Sequence, residues 1–323
     1  ITSHSSHIVS ECDFDDIKYF KRSSNTEVVS QNLKELETRY KAEKDPERNH
    51  FKFLKQYLTL NYSEIFFADK AILFEGETEG ILLPAMLKKV DEEHPSENDL
   101  PLLSQNISLI ASGAYSQIFD EFLSFIGIKT LIITDIDSGK ESISKDKNGR
   151  DTKKIVACSI EEATHTTNGA LLHYFETPLS KSGAKEPISF FMTLAPENKI
   201  LQKNNGLWET NPNGNLMIAY QTKETGGYYP RSFEDAFFQI NRELVIQNKK
   251  LFPSLKCKEQ LDEKDADGHF IYDSYDLANN CIGSKASFAL DILLNSINDG
   301  KHTFSNWKIP PYIEEGLLWL RQN

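Results

Sequence analysis

Ala71-Ile72-Leu73-Phe74-Glu75-Gly76-Glu77-Thr78-Glu79-Gly80 sets a short apolar run directly ahead of a turn made of acids and glycines. Such a run reads as a buried strand, and Gly76 permits a sharp turn from strand into helix. Downstream, Ile81, Leu82, Leu83, Met86, Leu87 and Val90 form one helical apolar face. Asp91 to Asp99 is a polar loop, and Ile107-Ser108-Leu109-Ile110 is a second strand. Gly113 turns the chain into a helix from Tyr115 to Phe125, Gly127 caps it, and Leu131-Ile132-Ile133 is a third strand. Strand and helix alternating at this spacing predict a parallel sheet with crossover helices. Reactive groups in such sheets gather at the carboxyl ends of the strands. That sets Glu75 and the pair Asp135/Asp137 on one rim.

Outward from this unit the pattern thins. Ile1 to Arg22 runs from a polar turn through a short helix to strand-like Ile17-Lys18-Tyr19-Phe20. Thr26 to about Leu60 is expected to be helical: Val28, Val29, Leu33, Leu36 and Tyr40 recur at near-helical spacing, and after a break near Asp45-Pro46 so do Phe51, Phe53, Leu54 and Leu58. Beyond Ser138 the chain is polar. Ile155 to Cys158 and Leu216 to Tyr220 read as strands, Phe233 to Ile246 and Lys285 to Ile297 as helices. No internal repeat or low-complexity tract is visible.

The 323 residues suggest about two domains at roughly 150 residues each. With 39% apolar and 26% charged residues the chain is neither a disordered tail nor a membrane protein, and no stretch nears the ~18 apolar residues of a bilayer span. Lys plus Arg total 36 against 48 Asp plus Glu, a formal charge of -12, which excludes a broadly basic nucleic-acid coat. Phosphate contact must then come through a local basic patch or bound cations. Cys12, Cys158, Cys257 and Cys281 form no C-x-x-C pair, so neither a zinc ribbon nor a disulfide framework is supported and a reducing cytoplasm is expected. The chain begins at Ile1 without signal or transit composition and reads as a fragment of a longer or processed protein.

Two acidic pieces carry chemistry. Glu75 sits at a strand tip and Glu79 lies about one helical turn on; the alternative is that both cap the helix N-terminus, where carboxylates are favoured. In Leu131-Ile132-Ile133-Thr134-Asp135-Ile136-Asp137-Ser138, aspartates at i and i+2 of an extended segment point the same way. Like charges that close are costly unless a cation neutralises them. Hard oxygen ligands without His or Cys select Mg²⁺ or Mn²⁺ over zinc. The bland alternative is a solvated turn. A rival enzyme reading also exists: phosphatases of the haloacid-dehalogenase type place D-x-D after an apolar strand, with the first Asp as nucleophile. They carry Thr or Val where this chain has Ser138, and need no upstream Glu.

Strand-Glu-Gly, one β-α unit, then strand-Asp-x-Asp resembles the Toprim domain of topoisomerases, primases and nucleases. Phe66-Phe67-Ala68-Asp69-Lys70 leading to Glu75-Gly76 and Leu82-Leu83-Pro84, with Thr134 to Ser138, resembles one branch, the OLD (overcoming-lysogenisation-defect) family of ATP-dependent nucleases. The implied fold is α/β, a Rossmann-like parallel Toprim sheet flanked by helices, with additional helical elements. The implied division is 1–24 as the end of an ABC-type ATPase domain, 25–65 as a helical linker or dimerisation segment, and 66–323 as a Toprim nuclease domain with a helical insertion or extension in its second half. Arg231-Ser232-Phe233-Glu234-Asp235-Ala236-Phe237 resembles the family's later acidic motif, and Lys285-Ala286-Ser287-Phe288-Ala289 its lysine before a small-residue helix. Ordinary readings of these are a helix start with acids in its first turn and a solvated surface lysine.

The resemblance implies metal-dependent hydrolysis of DNA phosphodiesters. Glu79, Asp135 and Asp137, with Glu75, would hold one or two Mg²⁺ or Mn²⁺ ions, Glu234 would serve the second, and Lys285 would neutralise charge on the scissile phosphate. Glu75 is alternatively the general base. Ile1-Thr2-Ser3-His4-Ser5 is similar to a switch-histidine loop, but no G-x-x-x-x-G-K-[ST] loop is present, so ATP would act only through an ATPase domain absent from this chain. The family further implies a homo-oligomer (dimer or higher), a helicase-like partner as in Gabija systems, defence against phage and a cytoplasmic, non-membrane setting. Two other readings stand beside it: a Toprim transesterase needing a positioned tyrosine, and a non-catalytic assembly module using the region 26–60.

Glu263 to Gly268 suggests a calcium loop, but its first position is Glu and its twelfth is Ser274, so a polar turn is expected. Lys140, Lys145, Lys147, Arg150, Lys153 and Lys154, set against Glu141, Asp146 and Asp151, form either a guide for a phosphate backbone or a solvated loop.

Overall fold

The computed structural model describes residues 2–22, 26–42, 50–145, 147, 150–184, 186–224 and 226–322. Its first part contains α1 (Ser6–Glu11), a hairpin of β1 (Lys18–Arg22) and β2 (Val28–Asn32), then α2 (Lys34–Ala42) and α3 (His50–Asn61). The expected alternation follows: β3 (Lys70–Phe74), α4 (Glu77–Glu93), β4 (Ile107–Ala111), α5 (Asp120–Ile126) and β5 (Lys129–Ile133). Beyond it lie β6 (Ser138–Lys145), β7 (Asp151–Ala157), β8 (His165–Thr166), α6 (Gly169–Tyr174), α7 (Glu176–Ser182) and α8 (Pro187–Thr193). The chain closes with β9 (Ile200–Asn204), β10 (Leu207–Thr210), β11 (Leu216–Ala219), α9 (Phe233–Gln247), α10 (Ser274–Cys281), α11 (Lys285–Leu294) and α12 (Pro311–Arg321).

Six strands form one sheet in the order β10-β9-β11-β5-β3-β4. The pairs β11/β5, β5/β3 and β3/β4 are parallel, and β9 and β10 add an antiparallel edge. Successive side chains of a strand face opposite ways, so each strand feeds two cores. Ile72, Leu131, Ile133, Met217 and Ala219 pack beneath α4, α9, α11 and α12. Ala71, Leu73, Ile110, Ile132 and Ile218 pack on the other face with α5, α6 and the first part of the chain, through Phe14, Leu33, Leu36, Leu54 and Leu58. The result is an α/β sheet with helices on both sides, as read from the sequence.

Local patterning misjudged two places. Val28–Asn32 is a strand, not helix: its β-branched valines pair with Lys18–Arg22, and helix begins only at Lys34, where Leu36 and Tyr40 are buried at helical spacing. The break expected at Asp45-Pro46 lies outside the described residues. The paired strands Lys18–Arg22 and Val28–Asn32 lie on either side of the expected 24/25 division, and Phe14 shares a core with Leu33 and Leu54. The helix expected from Tyr115 is a 3₁₀ segment kinked at Tyr115, and regular α-helix starts at Asp120. Gly127 does end it, at φ 64°. Finally, within the basic stretch after Ser138, for which a solvated loop is one of two readings, Lys140–Lys145 pairs with Asp151–Val156 as an antiparallel ribbon.

The terminal helix α12 was not legible, yet it lies flat on the sheet. A Cβ on Gly316 would meet Leu131 Cδ1 at 2.8 Å and Ala219 Cβ at 3.2 Å. Lys70 Nζ donates to the carbonyls of Leu320 (2.6 Å) and Gln322 (2.9 Å), and Lys129 Nζ to that of Trp319 (2.9 Å), which satisfies the helix's open C-terminus. Gly316→Ala is therefore expected to cost about 1–3 kcal/mol through overpacking, read as a lower urea midpoint at unchanged m-value. An unchanged midpoint would show that α12 lifts off easily.

Candidate active site

Registration of the parallel strands builds one end of the site. Phe74 pairs with Ile133, and Ile133 with Ala219, so Glu75, Thr134 and Tyr220 leave the sheet together at its carboxyl rim, with Gln221 one residue further on. Thr134 Oγ1 donates to Glu75 Oε2. Gln221 supplies both sides of its buried amide: Oε1 accepts from Ile136 N (2.7 Å), and Nε2 donates to Asp135 Oδ1 and to Tyr312 OH (3.2 Å). Asp135 Oδ1 also accepts from the backbone N–H of Phe233 (3.1 Å), the first residue of α9. An open helix N-terminus thus faces this carboxylate.

The expected extended D-x-D geometry is modified. Asp137 sits at φ 47°, in the left-handed region, so the two aspartates meet different partners. Asp137 Oδ1 accepts from Arg231 Nη2 (3.3 Å), and Oδ2 from Asn168 Nδ2 (3.4 Å). The same Asn168 nitrogen lies 3.3 Å from Glu75 Oε2 and 2.7 Å from Thr134 Oγ1, while Asn168 Oδ1 caps α6 through Leu171 N (3.0 Å). One buried amide therefore ties Glu75 to Asp137.

Glu79 and Glu234 form the inner part. Gly76 has no side chain where Glu79 folds back: a Cβ there would sit 2.2 Å from Glu79 Oε2. Gly80 likewise makes room for the Phe74 ring. Both glutamates are only 2% exposed. Glu234 accepts from Thr78 Oγ1 (2.7 Å) and pairs with Lys285 Nζ (2.9 Å), whose side chain is half exposed. Ser232 and Ser284 cap α9 and α11, fixing where those helices present Glu234 and Lys285.

The electrostatics are those of crowded acids. Burial, then the charge of Glu234, push the Glu79 carboxyl up to about 8. Burial and the charges of Glu79, Glu234 and Asp137 hold Asp135 well above the carboxylate range. Burial also raises Asp137, against the pull of Arg231. For Lys285 desolvation acts downward, but Glu234, Asp135 and Glu79 outweigh it and raise its affinity for a proton. All five sequence-selected acids and Lys285 thus lie in one electrostatically connected site. Asn168, Gln221 and Thr78 were missed. Gln221 was reachable as the second residue past a strand end, whereas Asn168 belongs to a stretch without pattern.

Five hard-oxygen carboxylates with an excess of negative charge suit Mg²⁺ or Mn²⁺ in donor type. They are not closed into a cage, however. Among the described residues, the groups of three ligand atoms lying within 4.8 Å of one another are Glu93/His94/Glu314 and Asp265/Asp267/His269, neither of them on the rim. At the rim Glu75, Asp135, Asp137 and Glu234 are each held by a protein donor instead. The Asp265 group occupies the polar turn expected there, with Gly268 at φ 84°.

Residues 66–137 match the family model described as overcoming lysogenization defect protein-like, TOPRIM domain. The chain is 29% identical over 331 residues to Endonuclease GajA of Bacillus cereus (strain HuB5-5), a match covering 99% of this chain and 42% of that protein. The chain therefore spans less than half the length of this curated relative. Among solved structures, the C-terminal region of the Xanthomonas campestris pv. campestris OLD protein aligns at TM-score 0.40 and 15% identity, over 80% of this chain and 94% of that one. The chain resembles the OLD-like Toprim proteins. The matched segment includes Glu75, Glu79, Asp135 and Asp137; Glu234 and Lys285 lie beyond it. No helix among the described residues is long and apolar enough to cross a membrane.

Proposed function

We propose, from the likeness to OLD-like Toprim proteins and to an endonuclease, that this chain is a metal-dependent DNA endonuclease that hydrolyses phosphodiester bonds. The observation that carries the reading is the convergence of Glu75, Glu79, Asp135, Asp137 and Glu234 on one rim, with the proton affinities of Glu79, Asp135 and Asp137 raised by burial and by neighbouring carboxylates. Glu79, Asp135 and Asp137, with Glu75, would hold one divalent ion, and Glu234 would contribute to a second. An Mg²⁺ or Mn²⁺ ion held by these carboxylates would supply Lewis-acid activation of water and charge neutralisation at the phosphate.

The protein's own groups position the reaction. Gln221 and the Phe233 N–H orient Asp135, while Asn168 and Thr134 fix Glu75 through Oε2. Among the described residues Glu75 Oε1 takes no protein donor, which suits either a ligand or a proton acceptor. Lys285, half exposed at the mouth of buried Glu234, is the cation available to a phosphate. The transesterase reading is weakened by Tyr312, the tyrosine that touches this network. It is buried, its hydroxyl is held by Gln221, and burial raises its pKa well above the usual value, which is the opposite of an activated nucleophile. By the same likeness the chain is the nuclease part of an ATP-dependent oligomeric protein of the cytoplasm, acting in defence against phage beside a helicase-like partner.

Supercoiled plasmid with the protein and Mg²⁺ or Mn²⁺ is expected to become nicked and linear, with EDTA stopping the reaction and no protein left covalently on the DNA. Metal-independent cleavage, a covalent adduct, or no cleavage would each overturn the proposal.

A further inference from the structure

The ribbon of β6 and β7 starts at the residue after Asp137. Among the described residues only Ser138 and Gly139 are also paired to β8, so from Lys140 to Lys145 and Asp151 to Val156 the described ribbon is two-stranded. Its root is pinned to the acidic rim. Arg231 donates to Asp137 Oδ1 (3.3 Å) and, through Nε, to Ser138 O (3.2 Å), while Ser138 Oγ donates to Cys158 O (2.6 Å) on the returning strand. Whatever lies along the arm is thereby registered against the carboxylates.

Its chemistry is unlike the rest of the chain. The protein carries a formal charge of -12, yet residues 138–157 hold six basic and three acidic residues. The register assigns faces: Lys140 opposes Val156, Ser142 opposes Lys154, and Ser144 opposes Thr152. One face therefore presents Lys140, Ser142, Ser144, Thr152, Lys154 and Val156, with two cations, three hydroxyls and no acid. The opposite face balances Glu141 and Asp151 against Lys145 and Lys153, with Lys153 paired to Glu141 (2.9 Å). Lys140 meets Glu162 from outside the ribbon (2.6 Å), whereas Lys145 and Lys154 have no acid partner among the described residues. From Lys140 to Ser144 the acid-free face extends about 13 Å, the axial rise of roughly four base pairs. A two-stranded ribbon also fits the ~12 Å major groove of B-form DNA.

We propose that this ribbon is a phosphate-binding arm for duplex DNA, with Lys140 and Lys154 of its acid-free face as the principal contacts, holding the duplex beside the acidic rim. The inference rests on the nuclease reading above and adds where the substrate lies. Backbone neutralisation by lysines makes binding salt-dependent, with a log–log slope of about 0.9 per phosphate contact.

The test is binding of a 30-base-pair duplex in Ca²⁺ across a salt series, with Mn²⁺ calorimetry and plasmid nicking on the same proteins. Lys140→Ser/Lys154→Ser is expected to weaken duplex binding about tenfold near 0.1 M salt and to flatten the slope by about 1–2, with Mn²⁺ binding unchanged. Glu141→Ser/Lys153→Ser, which removes one charge of each sign, is expected to bind like the unaltered protein. Should the double lysine variant lose its fold by circular dichroism, Lys154→Ser alone is expected to flatten the slope by about 1. Unchanged affinity and slope in the lysine variants, with Mn²⁺ binding and nicking intact, would overturn the arm and leave the nuclease reading standing. An unaltered protein that binds duplex through these lysines but neither takes up Mn²⁺ nor nicks plasmid would sink the nuclease reading instead. A loss equally large on single-stranded DNA or on duplex RNA would overturn the assignment to duplex DNA.

Discussion

Asp135→Asn is expected to lower metal-dependent DNA cleavage by at least about 100-fold, since partners one shell further out are worth about 10–100-fold. The metal-free protein should be as stable as before or more so. The substitution keeps an acceptor oxygen for Gln221 Nε2 and for the Phe233 N–H, so the rim's scaffold survives. It removes a carboxylate that burial and the charges of Glu79, Glu234 and Asp137 already disfavour. Loss of function without loss of fold is thus built into the change. Plasmid nicking in Mg²⁺ and urea unfolding in EDTA check the two halves. Full cleavage by the variant would remove Asp135 from the reaction, and a collapsed urea midpoint would make its role structural.

The second large effect is a pH dependence of the metal-free protein that runs opposite to the usual carboxylate case. Glu79 is pushed up to about 8, from an ordinary value of 4.5, by burial first and by Glu234 next. Between those two values the folded protein keeps a proton on Glu79 that the unfolded chain has released. The contribution to stability is therefore fully present below about 4.5 and is lost as pH rises through about 8. In EDTA, the unaltered protein is expected to lose stability from pH 5 to pH 9 relative to Glu79→Gln, which has no proton to lose. A divalent ion reverses the sign, because it competes with that proton and binds more tightly as pH rises. Parallel stability curves for the two proteins in EDTA would mean that Glu79 is ionised in the folded state at neutral pH.

Much of the site was legible because strand ends are local features. Apolar runs ending at Glu75 and at Thr134-Asp135 identified the rim, and parallel pairing of β3 with β5 brought those ends to one level. Gly76 was legible as a turn residue, but its second task, leaving space for the Glu79 carboxylate, depends on how Glu79 folds back. Val28–Asn32 misled because five residues of mixed apolar and polar character satisfy either period, and pairing with Lys18–Arg22 decides between them. Of the ribbon after Asp137 only the end of β7, Ile155 to Ala157, was legible as strand; the rest was hidden by its composition, since strands with both faces wet show no apolar alternation to read.

Sequence alone determined the β-α-β unit, the glycine at its turn and the acids at its rim, since backbone sterics and the periods of helix and strand act over a few residues. Tertiary structure decided which distant groups complete that rim. Thr78 meets Glu234 across 156 positions, and Asn168 reaches Glu75 across 93, because α9, α11 and the start of α6 pack where the sheet's two cores place them. Packing also set the protonation of Glu79 and Asp135, since a carboxyl's affinity for its proton depends on the water it has lost and on the charges brought beside it.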